Sequence, residues 1–523
     1  MNNPSTAIVI GAGVAGLATA GLLARRGMEV TVVERREAVG GRAGELAVDG
    51  FRFETGPSWY LMPEAFDHFY ELMGTSTEAE LDLQLLDPGY RVFPEGREPV
   101  DVPYGVDAAA ELFESIEPGA GAALREYLAS ADEVYGLALD YFLYTTFSSL
   151  SSFTNRDVLT RAREFLRLLV EPLGPYVGRR FDDTRLRQIL EYPAVFLSSR
   201  PSKAPSMYHL MSHTDLTLGV RYPQGGFTSI IDSLARLARE HGVEIMLDTE
   251  VTAIMTGGKK AAATGVRVLR EGRVSELPAD IVVAAGDLHH TETSLLPEKL
   301  RTYDEKYFAK RDPGLGTVLA LLGVEGELPE LLHHNLMFSE EWEDDFNVVY
   351  DGPQATRPLG SSRSIYVCKP SATDDSVAPA GHENLFVLIP VPADEALGHG
   401  DAYQASASPQ VKAIVDAAVE QIGEWAGVGD LADRVVVKRT LGPADFADRY
   451  HAWSGGSIGP AHTLAQSAFF RGKNASAKVD GLYYAGGTTA PGVGVPMCLI
   501  SAENVLKRLD GDASPGPLRS VRG

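Results

Sequence analysis

The hydrophobic pattern of this chain changes period several times, and the changes divide it into segments. Residues 6–10 form an unbroken run of apolar and β-branched residues, the mark of a buried strand. Residues 14–26 then carry small and apolar side chains as far as Gly27, a natural residue just beyond a helix. Val30-Thr31-Val32-Val33 returns to a strand pattern. Strand, helix and strand in this order predict the start of a βαβ unit.

From about residue 88 to residue 240 the pattern lengthens. Helices are predicted at 108–116, 121–143 and 157–170, with Pro172, Pro175, Pro193, Pro201 and Pro205 as punctuation. A helix over 226–241 leads into strands at 243–247 and 250–254. Gly257-Gly258-Lys259-Lys260 reads as a hairpin turn, and 279–287 as a buried strand ending in a turn. A second excursion, about 300–440, holds strands at 317–324, 364–367 and 384–390 and a helix over 408–425. Residues 481–508 read as strand, glycine loop and helix. Beyond Leu509 the Gly-, Ser- and Pro-containing tail shows no period, so it is expected to be flexible.

The first glycine cluster, Gly11-Ala12-Gly13-Val14-Ala15-Gly16, lies at the strand-to-helix junction. Gly11 permits a tight turn, Gly13 lets backbone approach a pyrophosphate, and Gly16 permits close packing of helix on strand. The helix N-terminus directs amides and the positive end of its dipole at the phosphates. Glu34 ends the second strand, where a carboxylate accepts ribose hydroxyls and repels a 2′-phosphate. Together these features predict an adenine dinucleotide site. Two further glycine stretches favour FAD over NAD: Gly40-Gly41-Arg42-Ala43, and the loop Glu54-Thr55-Gly56-Pro57-Ser58. Arg42 is a fixed cation placed for the pyrophosphate.

The implied fold class is α/β: a Rossmann-type FAD-binding domain assembled from discontinuous segments, 1–90, 241–300 and 441–511. An α+β substrate domain is inserted as 91–240 and 301–440, and 512–523 is the flexible tail. Sites between such interleaved domains are common.

Charge narrows the partners. The 523 residues carry a net charge of −24, which argues against nucleic acid. The two cysteines, Cys368 and Cys498, are far apart and in no metal-binding spacing, so neither a disulfide framework nor a metal site is expected. No run of about 18 uncharged apolar residues predicts a membrane span, and the first residues lack a secretory leader pattern. The expected location is the cytoplasm. No motif specifies an oligomeric state.

Read with the second glycine cluster, Gly486-Gly487 and Pro491-Gly492-Val493-Gly494-Val495-Pro496, the chain resembles the carotenoid (phytoene) desaturase family. This is the bacterial and fungal type, within the FAD-dependent amine oxidase-like superfamily. The similarity also rests on Tyr222-Pro223-Gln224-Gly225-Gly226, on 385–392 and on Ala461-His462-Thr463-Leu464-Ala465-Gln466-Ser467-Ala468. It implies that Gly11, Ala12, Gly13, Ala15 and Gly16 meet the pyrophosphate, with Gly41 and Arg42 close by. Glu34 and Arg35 would lie at the adenosine ribose, and Val251 would meet the adenine with its backbone. Gly56, Pro57 and Ser58 would pass near the flavin. Gly486, Gly487, Val495, Pro496 and Met497 would lie against the ribityl chain and the ring. Two positions depart from the family pattern: Ala490, where His or Arg is usual, and Arg221, where an aromatic residue is usual.

The activity implied is introduction of C=C bonds into a long apolar polyene. An allylic C–H would lose hydride to the flavin and the neighbouring carbon a proton. A hydrocarbon offers no hydrogen-bond handle, so register must come from length and shape. Candidates for the acid/base group are Asp157 with Arg161 one helical turn on, and His213 beside Asp215; His462 reads better as a loop-ordering residue. Residues 151–200 hold nine Arg against six Asp and Glu, net +3 in an acidic chain, with Leu166, Leu168, Leu169 and Val170 among them. That predicts docking on an anionic membrane surface, hence a cytoplasmic, peripherally membrane-associated protein. Competing readings are a carotenoid isomerase or oxygenase on the same scaffold, or a flavin-binding carrier without turnover.

Overall fold

The computed structural model describes residues 5–149, 160–352, 357 and 359–521. Its first sheet has five parallel strands in the order Leu482–Tyr484, Ile281–Ala284, Thr6–Ile10, Glu29–Val33 and Glu244–Met246. The central strand pairs in register with both neighbours, Ala7 with Ile281 and with Val30. Parallel strands covered on both faces need no polar alternation, so their side chains are nearly all apolar. Helix Val14–Arg25 packs on one face beside helices Phe227–Glu240 and Val495–Asp510. A three-stranded antiparallel sheet, Glu250–Gly257, Ala262–Arg270 and Arg273–Pro278, stands on the other side.

The second large sheet has seven strands: Val435–Leu441, Leu315–Glu325, His382–Pro392, Ile365–Cys368, His334–Phe338, Tyr90–Pro94 and Val100–Val102. Its long second strand, Leu315–Glu325, is buried except at its last residue. Helix Pro409–Ala426 covers one face with Val411, Ile414, Val415 and Ile422. The other face meets a helical layer that includes Val106–Ile116, Ala120–Ala138 and Thr184–Glu191. The predicted helix over 121–143 loses α geometry at Ala138 and continues as one wide turn, Leu139–Leu143.

The C-terminal tail, unpatterned in the sequence, lies against the last helix. The Lys507 ammonium is fully buried and donates to the carbonyls of Tyr144 and Ser514, both at 2.8 Å, and to that of Gly516. Leu518 and Val521 pack on the core of the first domain. The buried Lys507, and Glu503 accepting the Leu518 N–H, hold this segment, and no periodicity reports it. Lys507→Met leaves three carbonyls unpaired and is expected to cost about 3 kcal/mol of stability. Urea unfolding of the purified protein reads this as a lowered midpoint, together with faster proteolysis after Asp510.

Candidate functional site

Three glycine loops meet at the carboxyl ends of the parallel strands, where α/β sheets bind nucleotides. Gly11 has φ +99°, and its N–H donates to the Val33 carbonyl at 2.8 Å. A Cβ on Gly16 would overlap the Gly11 carbonyl oxygen and press on the Ala285 methyl, so helix Val14–Arg25 lies this close only with glycine there. Gly40 donates to the Ala12 carbonyl at 2.8 Å, and a Cβ on Gly41 would stand 3.1 Å from the Gly13 Cα. A Cβ on Gly56 would overlap the Arg42 carbonyl oxygen.

The Glu34 carboxylate is buried beneath this turn. It accepts the Ala12 N–H at 2.7 Å and the Arg36 N–H at 2.9 Å. Arg35 turns away and donates to the Arg449 carbonyl at 2.7 Å. Arg42 reaches the carbonyls of Ile458 at 3.3 Å and Gly456 at 3.4 Å, and Arg36 that of Gly41 at 2.9 Å. The Nε atoms of Arg36 and Arg42 are both buried without a partner among the described residues. No side chain caps the N-terminus of helix Val14–Arg25 or of helix Val495–Asp510. Spare guanidinium N–H groups and two uncapped helix N-termini fit a bound dinucleotide diphosphate.

The last glycine loop closes the same crevice. A Cβ on Gly486 would come 3.5 Å from the Ala15 methyl, so this loop touches the first helix. Gly486 donates to Ser501 Oγ at 3.0 Å. Val495, Pro496 and Met497 form the first turn of the last helix behind Gly494, φ +113°. Val251 sits at the start of strand Glu250–Gly257, paired with Val268.

Two buried side chains hold this loop in shape. The Arg471 guanidinium donates to the carbonyls of Gly487 at 2.6 Å, Thr489 at 3.0 Å, and Pro460 and Gln466 at 3.3 Å. Burial pushes Arg471 down to about 10. Its role was not legible from the sequence, where Arg471 stands outside the matched motifs. His462 accepts the Val493 N–H on Nε2 at 3.3 Å, which leaves Nδ1 to donate to the Tyr208 hydroxyl at 2.8 Å. Tyr208 passes the chain to Ser467 Oγ at 3.0 Å. His462 therefore has both nitrogens committed to the loop, and burial holds it neutral.

Beyond Ser58 the surroundings become aromatic. Ser58 Oγ lies 2.8 Å from the Tyr366 hydroxyl, itself 2.7 Å from His334 Nδ1. Trp59 stacks on His334 at 4.3 Å and packs against Tyr90, Tyr192, Phe196 and Tyr366. His333, His334 and Cys368 each bring a ligating atom to within 4.8 Å of the others, a clustering that the cysteine spacing did not predict. Burial lowers His333 to about 3, lowers His334 as well and raises the Cys368 thiol, so the cluster is uncharged. The adjacent pair His333-His334 and the Trp following Ser58 were the available sequence signals.

The sequence-selected acid/base residues are dispersed. Asp157 lies outside the described residues. Arg161 is exposed and pairs with Glu133. His213 is buried against Tyr135, with Nε2 3.5 Å from Asp132 and its pKa lowered by burial. Its neighbour Asp215 lies deeper, bonded to Tyr192 and Tyr90.

This is a dinucleotide-binding flavoenzyme fold whose second domain presents an aromatic wall around Trp59. Residues 14–507 match the flavin containing amine oxidoreductase family, and the chain belongs to it. It is 40% identical over 504 residues to carotenoid 3,4-desaturase of Haloarcula japonica, covering 96% of this chain and 98% of that protein. It is 34% identical to the zeta-carotene-forming phytoene desaturase of Myxococcus xanthus, covering 96% and 93%. The cyclohexylamine oxidase structure from Brevibacterium oxydans shares the fold, with a TM-score of 0.56 over 97% of this chain and 99% of that one, at 16% identity.

Gly16→Ala is expected to lose nearly all bound flavin, read as the ratio of flavin to protein absorbance after purification. Gly27→Ala is the control: φ is +93° and nothing lies within 4 Å of its added Cβ. It should cost only about 1 kcal/mol and keep the flavin.

Proposed function

We propose that this chain is an FAD-dependent carotenoid desaturase acting on phytoene or a related polyene. The observation that carries the reading is identity of 40% and 34% with two carotenoid desaturases across 96% of the chain. The aromatic wall behind Trp59 supports it. An amine needs a polar or anionic handle near the reacting carbon, whereas a hydrocarbon needs apolar surface and shape.

Gly11, Gly13, Gly16, Gly41 and Gly56 would admit the FAD backbone, Glu34 would hold the ribose, and Arg42 would face the diphosphate. Bound there, the FAD supplies a two-electron acceptor for hydride. The chain's own work is alignment and exclusion of water. Arg471, His462 and Asn474 keep the last loop fixed, the asparagine through 2.9 Å to the Ala490 carbonyl. Ser58 and Trp59 place the cofactor-side loop against the wall.

A long hydrocarbon partitions from water into lipid, so we also propose peripheral docking on the cytoplasmic side. Among the described residues no helix is long and apolar enough to cross a membrane. Leu166 and Val170 on helix Ala162–Val170 are each 63% exposed, and Phe469 and Phe470 each 47%. The turn Ser206–His209 joins the two regions: Ser206 Oγ donates to the Leu168 carbonyl at 3.2 Å, and Tyr208 reaches Ser467. Exposed apolar groups beside Arg161, Arg163 and Arg167 suit an anionic interface.

Expression in a phytoene-accumulating host should yield carotenes with longer absorption maxima. A pure cis–trans shift would support an isomerase, added oxygen an oxygenase, and no change with flavin still bound a carrier. In co-sedimentation, the protein should pellet with anionic vesicles at low salt. The double variant Leu166→Glu, Phe470→Glu should lose most of that binding while keeping its flavin; equal binding would overturn the docking surface.

A further inference from the structure

His334 opens strand His334–Phe338, and Cys368 closes its antiparallel neighbour Ile365–Cys368. The two residues stand directly opposite each other in the ladder. The Lys369 N–H donates to the His333 carbonyl at 2.7 Å, which fixes His333 beside them. All three side chains are buried, and each brings one ligating atom to within 4.8 Å of the other two. Any triangle of that size has a point within about 2.8 Å of all three corners, so bonds of about 2.0 Å to nitrogen and about 2.3 Å to sulfur need each side chain to close by less than about 1 Å.

The hydrogen bonds around the cluster suit ligation. His333 Nδ1 lies 2.7 Å from Thr373 Oγ1, and His334 Nδ1 lies 2.7 Å from the Tyr366 hydroxyl. The Nε2 of each ring is buried and has no partner among the described residues. A buried nitrogen of this kind has lost its hydration with nothing in return, a cost that an electron-pair acceptor would offset. The Tyr366 hydroxyl also donates to the Cys368 sulfur, which favours the thiolate. Imidazoles anchored by one nitrogen, and a sulfur that accepts a hydrogen bond, are the outer contacts that orient metal ligands.

Charge selects the ion. Lys369 follows Cys368 in the chain; its ammonium is buried, 2.6 Å from the Leu328 carbonyl and 3.6 Å from Glu383. Asp374, whose charge reaches His333, is committed to the Gly225 N–H at 2.8 Å, the Ser376 N–H at 2.8 Å and the Tyr222 hydroxyl at 3.0 Å. Burial pushes Glu54, the carboxyl whose charge would reach Cys368, up to about 8, so it is mostly neutral near neutral pH. A divalent ion on one thiolate would add an unbalanced positive charge beside a buried ammonium, which is costly. A monovalent ion adds none. Among monovalent ions, thiolate and imidazole donors suit the soft Cu(I).

We propose that His333, His334 and Cys368 bind one Cu(I) ion. The site goes beyond the desaturase reading and does not depend on it. On binding, the Cys368 S–H bond breaks and its proton passes to solvent. The electron pair left on sulfur forms the S–Cu bond, and nothing is oxidised or reduced. The ion joins two strands behind the cofactor-side loop, because Trp59 stacks on His334 and Ser58 Oγ meets the Tyr366 hydroxyl.

The test uses flavin-loaded full-length protein, charged anaerobically from a Cu(I)–bicinchoninate complex and then gel filtered. Wild type should retain about one copper per chain and unfold at a higher urea midpoint than the copper-free protein. Protein that emerges without copper, or whose midpoint does not move, would overturn the proposal. Cys368→Ser should lose the copper, and Tyr366→Phe, which keeps all three ligands, should weaken its binding by about tenfold, both at wild-type flavin content. Cys498→Ser removes the other thiol and should bind copper as wild type does; copper lost with Cys498 and kept without Cys368 refutes the site. Should Cys368→Ser fail to fold, X-ray absorption of copper-loaded wild type still decides. One sulfur and two imidazole nitrogens are expected around the metal, and a shell with no sulfur, or with two, rules the site out. Zn(II) offered in the same way should be held more weakly; tighter zinc binding would overturn the choice of a monovalent ion.

Discussion

The structure depends on one close approach: the first helix lies on the first strand with no side chain between Gly16 and the Gly11 carbonyl. That contact sets where the helix N-terminus points. It also lets the last loop reach the first helix, where Gly486 faces the Ala15 methyl. Parallel pairing of Leu482–Tyr484 beside Ile281–Ala284 beside Thr6–Ile10 then joins three remote segments of chain in one sheet. Both helix N-termini consequently open on one crevice. The second domain is carried on the connections between these strands, so its wall is positioned by the same pairing.

Polarity is divided sharply across that boundary. On the crevice side, Arg36, Arg42, Arg471 and Glu34 are buried or half-buried, and each is committed to backbone groups. Unpaired buried charge is costly, and several carbonyls or amides around one ion offset that cost. Arg471 shows the principle: four carbonyls surround a guanidinium that has no carboxylate partner among the described residues. On the wall side, His333, His334, Cys368 and the tyrosines are held neutral by burial. The anionic cofactor and a hydrocarbon need opposite surroundings within a few side chains of each other, and this partition supplies both.

What the sequence made legible follows from how local each signal is. Thr6–Ile10, Val14–Arg25 and Glu29–Val33 are continuous, and their glycines act on neighbours in the chain, so both fold and cofactor could be read there. The long strands Leu315–Glu325 and His382–Pro392 were visible as apolar runs, each one to two residues short at its ends. The seven-stranded sheet was not visible as a unit, because Tyr90–Pro94 joins it from a segment more than two hundred residues before its neighbour His334–Phe338. The wall was less legible still. Trp59, Tyr90, Tyr192, Asp215, His334 and Tyr366 come from separate segments and share no spacing. His213, chosen from sequence, proves to face Asp132, while Asp215 two residues on faces inward. In an irregular turn no fixed period says which side chain points to the core.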